Sequence, residues 1–529
     1  MKRKAIRPEF SISEPSSSAE PVGTASRTLL LAQIATQVVG ALTLAVLYRL
    51  LHPSDYGLVG AVAPWVMLPR MAATLGLAAA LIQLREPSEA LLKRLFQVQL
   101  RWGGLAATAS VLAMPLVAWI WQEERLVWIG AALGGSTFLA ALANLHLARL
   151  EKEMQMGGSA KARIGGLLCG SAAGILAAVL GAGVWSLVVQ QVAELFVMTV
   201  IALVVCPWRP WSGVATANEV KVHEEAARAT QRFGLFYSGS QLVNYLGQNL
   251  PSLLVPFFLG AAGTELLGLY SQAMSWVLRI VFLVTMPLGS VALASLSKAT
   301  PGTGAFAGLT ERFFRLTAIL LFPAALGLWA VSGLLMRLLG GDEWGKAGDL
   351  LMILAPAAIG LGLMNLMTPV LSAAGQAKLL FWNTAIATFV VAQGMIAGVL
   401  LARMQFPSED AGSEIHWGEG IAYGYTLVTL VVIVGPYLWL GLQNCGVNPL
   451  PIIHTCLRPL RSSSLMGVAV WAFAGWIEGQ WPAEGTAGVA IKLFASVSLG
   501  VALYVVIARN DLQWAYRVLV RGESFLSED

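Results

Sequence analysis

Two arginines lie where a charged side chain is least stable. Arg70 falls deep inside the apolar stretch Gly57–Ile82, and Arg279 deep inside the apolar stretch Leu266–Leu293. Each follows a glycine–tyrosine signal, Asp55-Tyr56-Gly57 in one case and Gly268-Leu269-Tyr270 in the other. Gly268 follows Gly57 by 211 residues and Arg279 follows Arg70 by 209, so signal and arginine repeat as a unit. A charge at the centre of a membrane span costs between about 3 and 10 kcal/mol or more, so it faces a partner or a water-filled cavity. Two such charges at one depth in two halves of a chain read as cations converging on an anionic ligand. The alternatives are snorkelling to an interface or a structural ion pair with another span.

Uncharged polar residues accompany them. Gln272, Ser275 and Arg279 are spaced i, i+3, i+7 and share one helix face. Gln241, Asn244, Tyr245 and Gln248 share another, with Asn249 beside them and Pro251 breaking the helix. Gln33 and Gln37 form a weaker version in the first apolar run. Amides suit sugar hydroxyls, and they serve equally as glue between helices. Glu194 is a carboxylate well inside a span, just after Gln190 and Gln191. It reads either as a protonation site coupling transport to an ion gradient or as a packing partner for a cation. Arg70 follows Pro64 and Pro69, which predict a kink; about 20 Å of helix separates it from Gly57. His146 and Asn144 read as structural, and Asn365, Tyr423 and Tyr425 as candidate lining of the second half.

The elements that must position these residues are apolar helices. The chain has 529 residues, 57% hydrophobic and 12% charged, with mean hydropathy +0.70. A soluble protein would carry about 25% charged residues. The expected fold is therefore an all-α integral membrane protein. Spans of crossing length, about 20 residues, fall at 28–48, 57–82, 97–120, 127–148, 164–181, 184–205, 233–258, 266–293, 314–338, 348–371, 379–402, 420–442, 463–477 and 486–508, fourteen in all. They divide into a tail (1–27), a first lobe of six spans (28–206), a linker (207–232), a second lobe of six (233–443), a loop with two further spans (444–508) and a C-terminal tail (509–529). Leu84–Leu95 reads as an interfacial segment, and Trp121, Trp128, Trp344 and Trp439 as an interfacial belt.

Charge sets the topology. With both termini in the cytoplasm, the loop and tail cations lie inside except Arg49, Arg125, Arg337, Lys346 and Arg403. Arg101 and Lys492 join the two arginines as charges within spans. The first 27 residues carry no signal-peptide pattern. The net charge of +5 shows no aromatic-interleaved basic patch, which argues against nucleic acid. Four cysteines without CxxC spacing or clustered histidines indicate neither a metal site nor a disulfide framework. Neither a catalytic residue nor a cofactor is expected.

Leu50–Val62 (LLHPSDYGLVGAV) with Leu75–Gln83 (LGLAAALIQ), and Gly268–Met274 (GLYSQAM) followed by Met286–Lys298 (MPLGSVALASLSK), resemble the Wzx-type oligosaccharide and polysaccharide flippases. That family lies within the superfamily that also holds multidrug antiporters and the peptidoglycan lipid flippase. The resemblance covers roughly residues 28–445. It implies two pseudo-repeated six-helix lobes around a central cavity, here with two extra C-terminal helices. The implied substrate is a polyprenyl-pyrophosphate-linked oligosaccharide carried across the inner (cytoplasmic) membrane for O-antigen, capsule or exopolysaccharide synthesis. Its implied partners are the bilayer and a glycan polymerase or glycosyltransferase, and the expected state is a monomer. The peptidoglycan lipid flippase carries cavity arginines on its second and eighth helices, so Arg70 and Arg279 would bind the pyrophosphate by analogy. The first helix here lacks an arginine cluster, ending with Arg49 alone.

Two other functions compete. A cation-coupled drug antiporter would place carboxylates in the first helix, and 28–48 has none. A membrane glycan polymerase or ligase would need a sizeable outer loop, and the outer loops here are short. A transporter rather than an enzyme is the expectation.

Overall fold

The structure is a computed structural model that describes residues 22–74, 89–153, 156–208, 239–260, 263–406, 413–481 and 485–520. Side chains of the first helix are described from Thr36 onward. The first half holds α1 (Val22–Leu50), α2 (Pro53–Thr74), α3 (Glu89–Trp121), α4 (Arg125–Lys152), α5 (Met156–Val179) and α6 (Val184–Val205). The second half opens with α7 (239–248) and α8 (Leu250–Leu259), then α9 (Gly263–Leu296) and α10 (Gly304–Gly340). It continues with α11 (Gly345–Leu354), α12 (Ala357–Ala373), α13 (Ala377–Gln405), α14 (Ser413–Leu427) and α15 (Val434–Asn444). Two further long helices, α16 (Pro449–Gln480) and α17 (Thr486–Ile507), precede a short terminal one, α18 (Arg509–Val520).

The described part of each expected span is helical. Among the described residues nine helices are long and apolar enough to cross a membrane, or ten if one bent pair counts as a single span. Segments described only in part, α1 and α2 among them, fall below that criterion. So do the span broken at Asn249, where α7 gives way to α8, and α16, which carries the expected span 463–477. The bent pair joins Asp342–Leu354 to Ala357–Ala373 at 56°, with Pro356 at the break, where a proline cannot continue the hydrogen-bond ladder.

Three boundaries differ from the sequence reading. Residues 449–462, expected as loop, are the first turns of α16, started by Pro449 with the Asn448 side chain accepting from the Leu450 amide at 3.1 Å. Residues 509–520, expected as tail, form α18. Of the interfacial segment expected at Leu84–Leu95, residues 84–88 lie outside the described residues and the rest belongs to α3. About 30 Å of helix lies between Arg101 and Trp121. Arg101 is exposed at the membrane boundary rather than buried in its centre.

Small residues line a close helix pair in each half. In the first half, Gly166, Gly170 and Gly174 of α5 lie against the backbone and Cβ atoms of Gln190, Glu194 and Met198 on α6. In the second half, Gly394 and Gly398 of α13 meet Gly424 and Gly420 of α14 backbone to backbone. Small residues let helices approach closely where hydrophobic burial supplies no driving force. The two halves meet along α2 and α9, and the C-terminal pair α16 and α17 packs on α10.

Candidate functional site

α2 and α9 cross at their first turns. A Cβ on Gly57 would overlap the Thr264 carbonyl, and one on Gly268 would overlap the Pro53 carbonyl. The contact is reciprocal: each glycine meets the backbone four residues before the other. Only glycine permits this approach, which explains the residue type at both signals. From the crossing the helices run in the same direction, with Gly60 of α2 beside Leu267 and Ser271 of α9. Counting 1.5 Å per residue, Arg70 lies about 20 Å and Arg279 about 17 Å beyond it. The two cations therefore occupy matched depths on the two helices that form the seam.

Each arginine also reaches the first span of the opposite half. On α9, Arg279 places its guanidinium carbon 5.7 Å from the Trp276 ring centroid, a cation–π arrangement. A Cβ added to Gly40 of α1 would lie 3.8 Å from its Nη1. On α2, Arg70 has Glu194 of α6 and Tyr245 of α7 within electrostatic reach. Tyr245 donates its hydroxyl to the Ala63 carbonyl of α2 at 3.3 Å.

The other expected site residues lie on several elements, and one of them ties the halves together. Tyr48 of α1 donates its hydroxyl to Oε1 of Gln272 at 2.9 Å, joining the halves. Ser275 turns its hydroxyl back onto the Gln272 carbonyl at 2.8 Å. Gln241, Asn244 and Gln248 are half-buried on α7, and Gln37 is half-buried on α1. The side chain of Gln33 lies outside the described residues. Glu194 is half-buried, its Cβ pressed towards Gly170. His146 is buried, its ring edge-on to Phe96 at 5.5 Å and 5.3 Å from Trp208. Tyr423 is exposed, Tyr425 is buried, and Asn365 is half-buried.

Sequence reasoning missed the closure at the crossing end. Tyr48, Tyr56 and Trp344 cluster with tilted and edge-on rings, centroids 4.3 to 5.4 Å apart. The Trp344 indole donates to the Tyr48 carbonyl at 3.0 Å. Arg49 donates Nε to the Leu339 carbonyl at 2.8 Å and Nη2 to the Leu338 carbonyl, capping the end of α10. His52 and Glu343 pair at 3.0 Å. Gly341, at φ +80°, makes the turn that swings Trp344 back under α1 and α2. Trp344 and Trp121, expected in an interfacial belt, are instead 0% and 1% exposed core residues. Trp128 and Trp439 are exposed. A tryptophan near a span end belongs to the belt only when tertiary packing leaves it facing lipid, and local sequence does not specify that. A cavity of about 840 Å³ opens elsewhere, beside the α3–α4 turn, between Trp119, Trp128 and Phe257.

Residues 46–349 match the family model described as polysaccharide biosynthesis protein, more than half of the chain. Among curated relatives, the chain is 24% identical to the succinoglycan biosynthesis transport protein ExoT of Rhizobium meliloti, covering 88% of each. It is 24% identical to the teichuronic acid biosynthesis protein TuaB of Bacillus subtilis, over 74% of this chain and 77% of that one. To the lipopolysaccharide biosynthesis protein WzxC of Escherichia coli it is 20% identical, over 76% and 78%. Among solved structures, the lipid II flippase MurJ in an inward closed conformation superposes with a TM-score of 0.66 at 10% identity, covering 91% of this chain and 100% of that one. An inward-facing multidrug resistance transporter of the MATE family gives 0.56 at 14% identity, covering 80% and 98%. The fold is that of these transporters.

Proposed function

The chain belongs to the family of polysaccharide biosynthesis proteins, and from that membership we propose that it is a flippase. On this reading it carries a polyprenyl-pyrophosphate-linked oligosaccharide from the inner to the outer leaflet of the cytoplasmic membrane by alternating access. The observation that carries the reading is the pair Arg70 and Arg279, at matched depth on the two helices that join the halves.

A flippase makes no covalent bond. Its task is to lower the cost of taking a pyrophosphate and a hydrophilic glycan through about 30 Å of hydrocarbon. Arginine supplies a permanent charge and a planar fork that donates paired hydrogen bonds to phosphate oxygens. Arg70 and Arg279 take the pyrophosphate. Gln37, Gln241, Asn244, Gln248 and Gln272 offer amides to the glycan, with Ser275 at its margin, and Gln33 is grouped with them from the sequence alone. Glu194 neutralises Arg70 in the empty protein and is exchanged for phosphate when substrate arrives, which gives transport a group that can take up a proton. The Trp344 end faces outwards and the α18 end inwards, in keeping with the cation distribution. A cytoplasmic glycosyltransferase supplies the substrate and a polymerase on the far side consumes it.

The test is transport of a fluorescent polyprenyl-pyrophosphate oligosaccharide across proteoliposomes by the wild type and by Arg70→Ala/Arg279→Ala. Loss of transport with an unchanged melting temperature supports the clamp. Undiminished transport removes the arginines from the site. No transport by the wild type across several glycans shifts the assignment to a cation-coupled antiporter.

A further inference from the structure

The end of the bundle opposite Trp344 carries a collar of arginines, and among the described residues the carboxylates beside them are already engaged. We propose that the boundary surface formed by α16, α17 and α18 is a docking site for anionic phospholipid headgroups, held by Arg458, Arg461, Arg509 and Arg517.

Depth follows from helix lengths. Ile319 to Gly340 on α10 is about 32 Å of helix, and Arg461 to Gln480 on α16 about 29 Å, each close to the 30 Å hydrocarbon core. Ile319 and Arg461 therefore lie at one level, about one hydrocarbon thickness from Gly340 and Gln480, and we take that level as the membrane boundary. α17 arrives at the same level, because the Tyr504 hydroxyl donates to the Ile319 carbonyl at 2.8 Å. Exposed Val505, Val506 and Ile507 face lipid there, and Arg509 follows at once.

α18 stays at that boundary because one face is apolar and buried. Leu512, Ala515 and Val518 pack with Leu288, Leu316 and Ile319 of α9 and α10. The opposite face presents Arg509, Gln513, Tyr516 and Arg517 to the outside. An amphipathic helix lying at headgroup depth with arginine and tyrosine outward is suited to a charged lipid surface. Among the described residues, the two carboxylates beside this surface are engaged within the protein. Asp511 is buried and pairs with Arg315 at 2.9 Å, and Arg315 in turn lies 4.1 Å over Trp514. Glu311 accepts the Thr455 hydroxyl at 2.6 Å. Among the described residues of α16 to α18 at this boundary, the outward charges are cationic. A layer of phosphodiester anions supplies the complementary charge at the right depth, and a zwitterionic layer does not.

The experiment uses the full chain in a neutral detergent, with short-chain phosphatidylglycerol as probe and phosphatidylcholine and inorganic phosphate as controls. Phosphatidylglycerol is expected to raise the melting temperature in a salt-sensitive way, and the two controls are not. Each arginine is expected to contribute about fivefold to the apparent affinity. Arg458→Gln/Arg461→Gln/Arg509→Gln/Arg517→Gln should therefore lose the shift, and the four lysine replacements should keep it. A comparison variant with four other exposed cations removed, Arg94→Gln/Lys161→Gln/Lys298→Gln/Lys378→Gln, should also keep it. If the quadruple glutamine variant does not fold, the two pairwise variants are read instead, and each should weaken binding by more than tenfold. Equal loss in the comparison variant, full binding by the glutamine variants, or an equal shift with phosphatidylcholine or phosphate would overturn the site.

Discussion

Gly57 and Gly268 each occupy a space beside the backbone of the opposite half that no side chain can enter. A Cβ on either would overlap a carbonyl four residues before the other, Thr264 in one case and Pro53 in the other. Gly57→Ala or Gly268→Ala must push α2 and α9 apart. Overpacking of this kind costs about 1 to 3 kcal/mol, so each variant should melt lower than the wild type. Ala at Gly104, where nothing lies within 4 Å of an added Cβ, is the control and should change little.

The same seam provides a way to lock the halves. An added Cβ at Gly60 would lie 3.8 Å from the Ser271 hydroxyl oxygen, so cysteine side chains at the two positions would be in contact. Gly60→Cys/Ser271→Cys should cross-link under oxidation without disturbing the fold. If the seam must part during a transport cycle, the oxidised protein will be inactive and a reductant will restore it. Full activity in the cross-linked state would show that the seam stays closed throughout.

Gly40 separates space from charge at Arg279. At 3.8 Å from Nη1 a methyl group fits in ordinary contact, so Gly40→Ala should leave transport nearly unchanged. Gly40→Leu would displace the guanidinium from α1 and should reproduce the Arg279→Ala transport defect. Transport measured on both variants, alongside their melting temperatures, separates the two effects.

The α3–α4 turn carries a pH-sensitive bond outside the membrane-spanning segments. Hydrogen bonds from Arg125, at 2.8 and 3.0 Å, hold the Glu123 carboxyl below the usual carboxylate range. The sign follows from linkage: a carboxyl with a lowered folded-state pKa contributes stability above its unfolded pKa of about 4.3 and loses it as pH falls through the folded value. The melting-temperature difference between wild type and Glu123→Gln should therefore be constant near neutrality and shrink in acid below about pH 4. Because Arg125 is largely solvated, the difference should be small and should fall with salt.

Composition and one-dimensional pattern determined that this chain is a helical membrane protein, because lipid leaves the backbone few other ways to satisfy its hydrogen bonds. They also marked Arg70 and Arg279, since a charge inside an apolar run is anomalous whatever surrounds it, and they exposed the repeat through Gly57 and Gly268. The face shared by Gln272, Ser275 and Arg279 was readable because helical spacing is local. Only the tertiary structure decided what those residues touch. It set Glu194 near Arg70, Gly40 against Arg279 and Tyr48 on Gln272, pairs separated by more than a hundred residues with no shared local signal. It also moved Trp344 from an expected membrane belt into the core between Tyr48 and Tyr56. The same amphipathic spacing that hid α18 in a tail became a docked helix once α9 and α10 offered it an apolar face. Periodicity fixes which side chains share a face, but the partner of that face is chosen by packing across the whole chain.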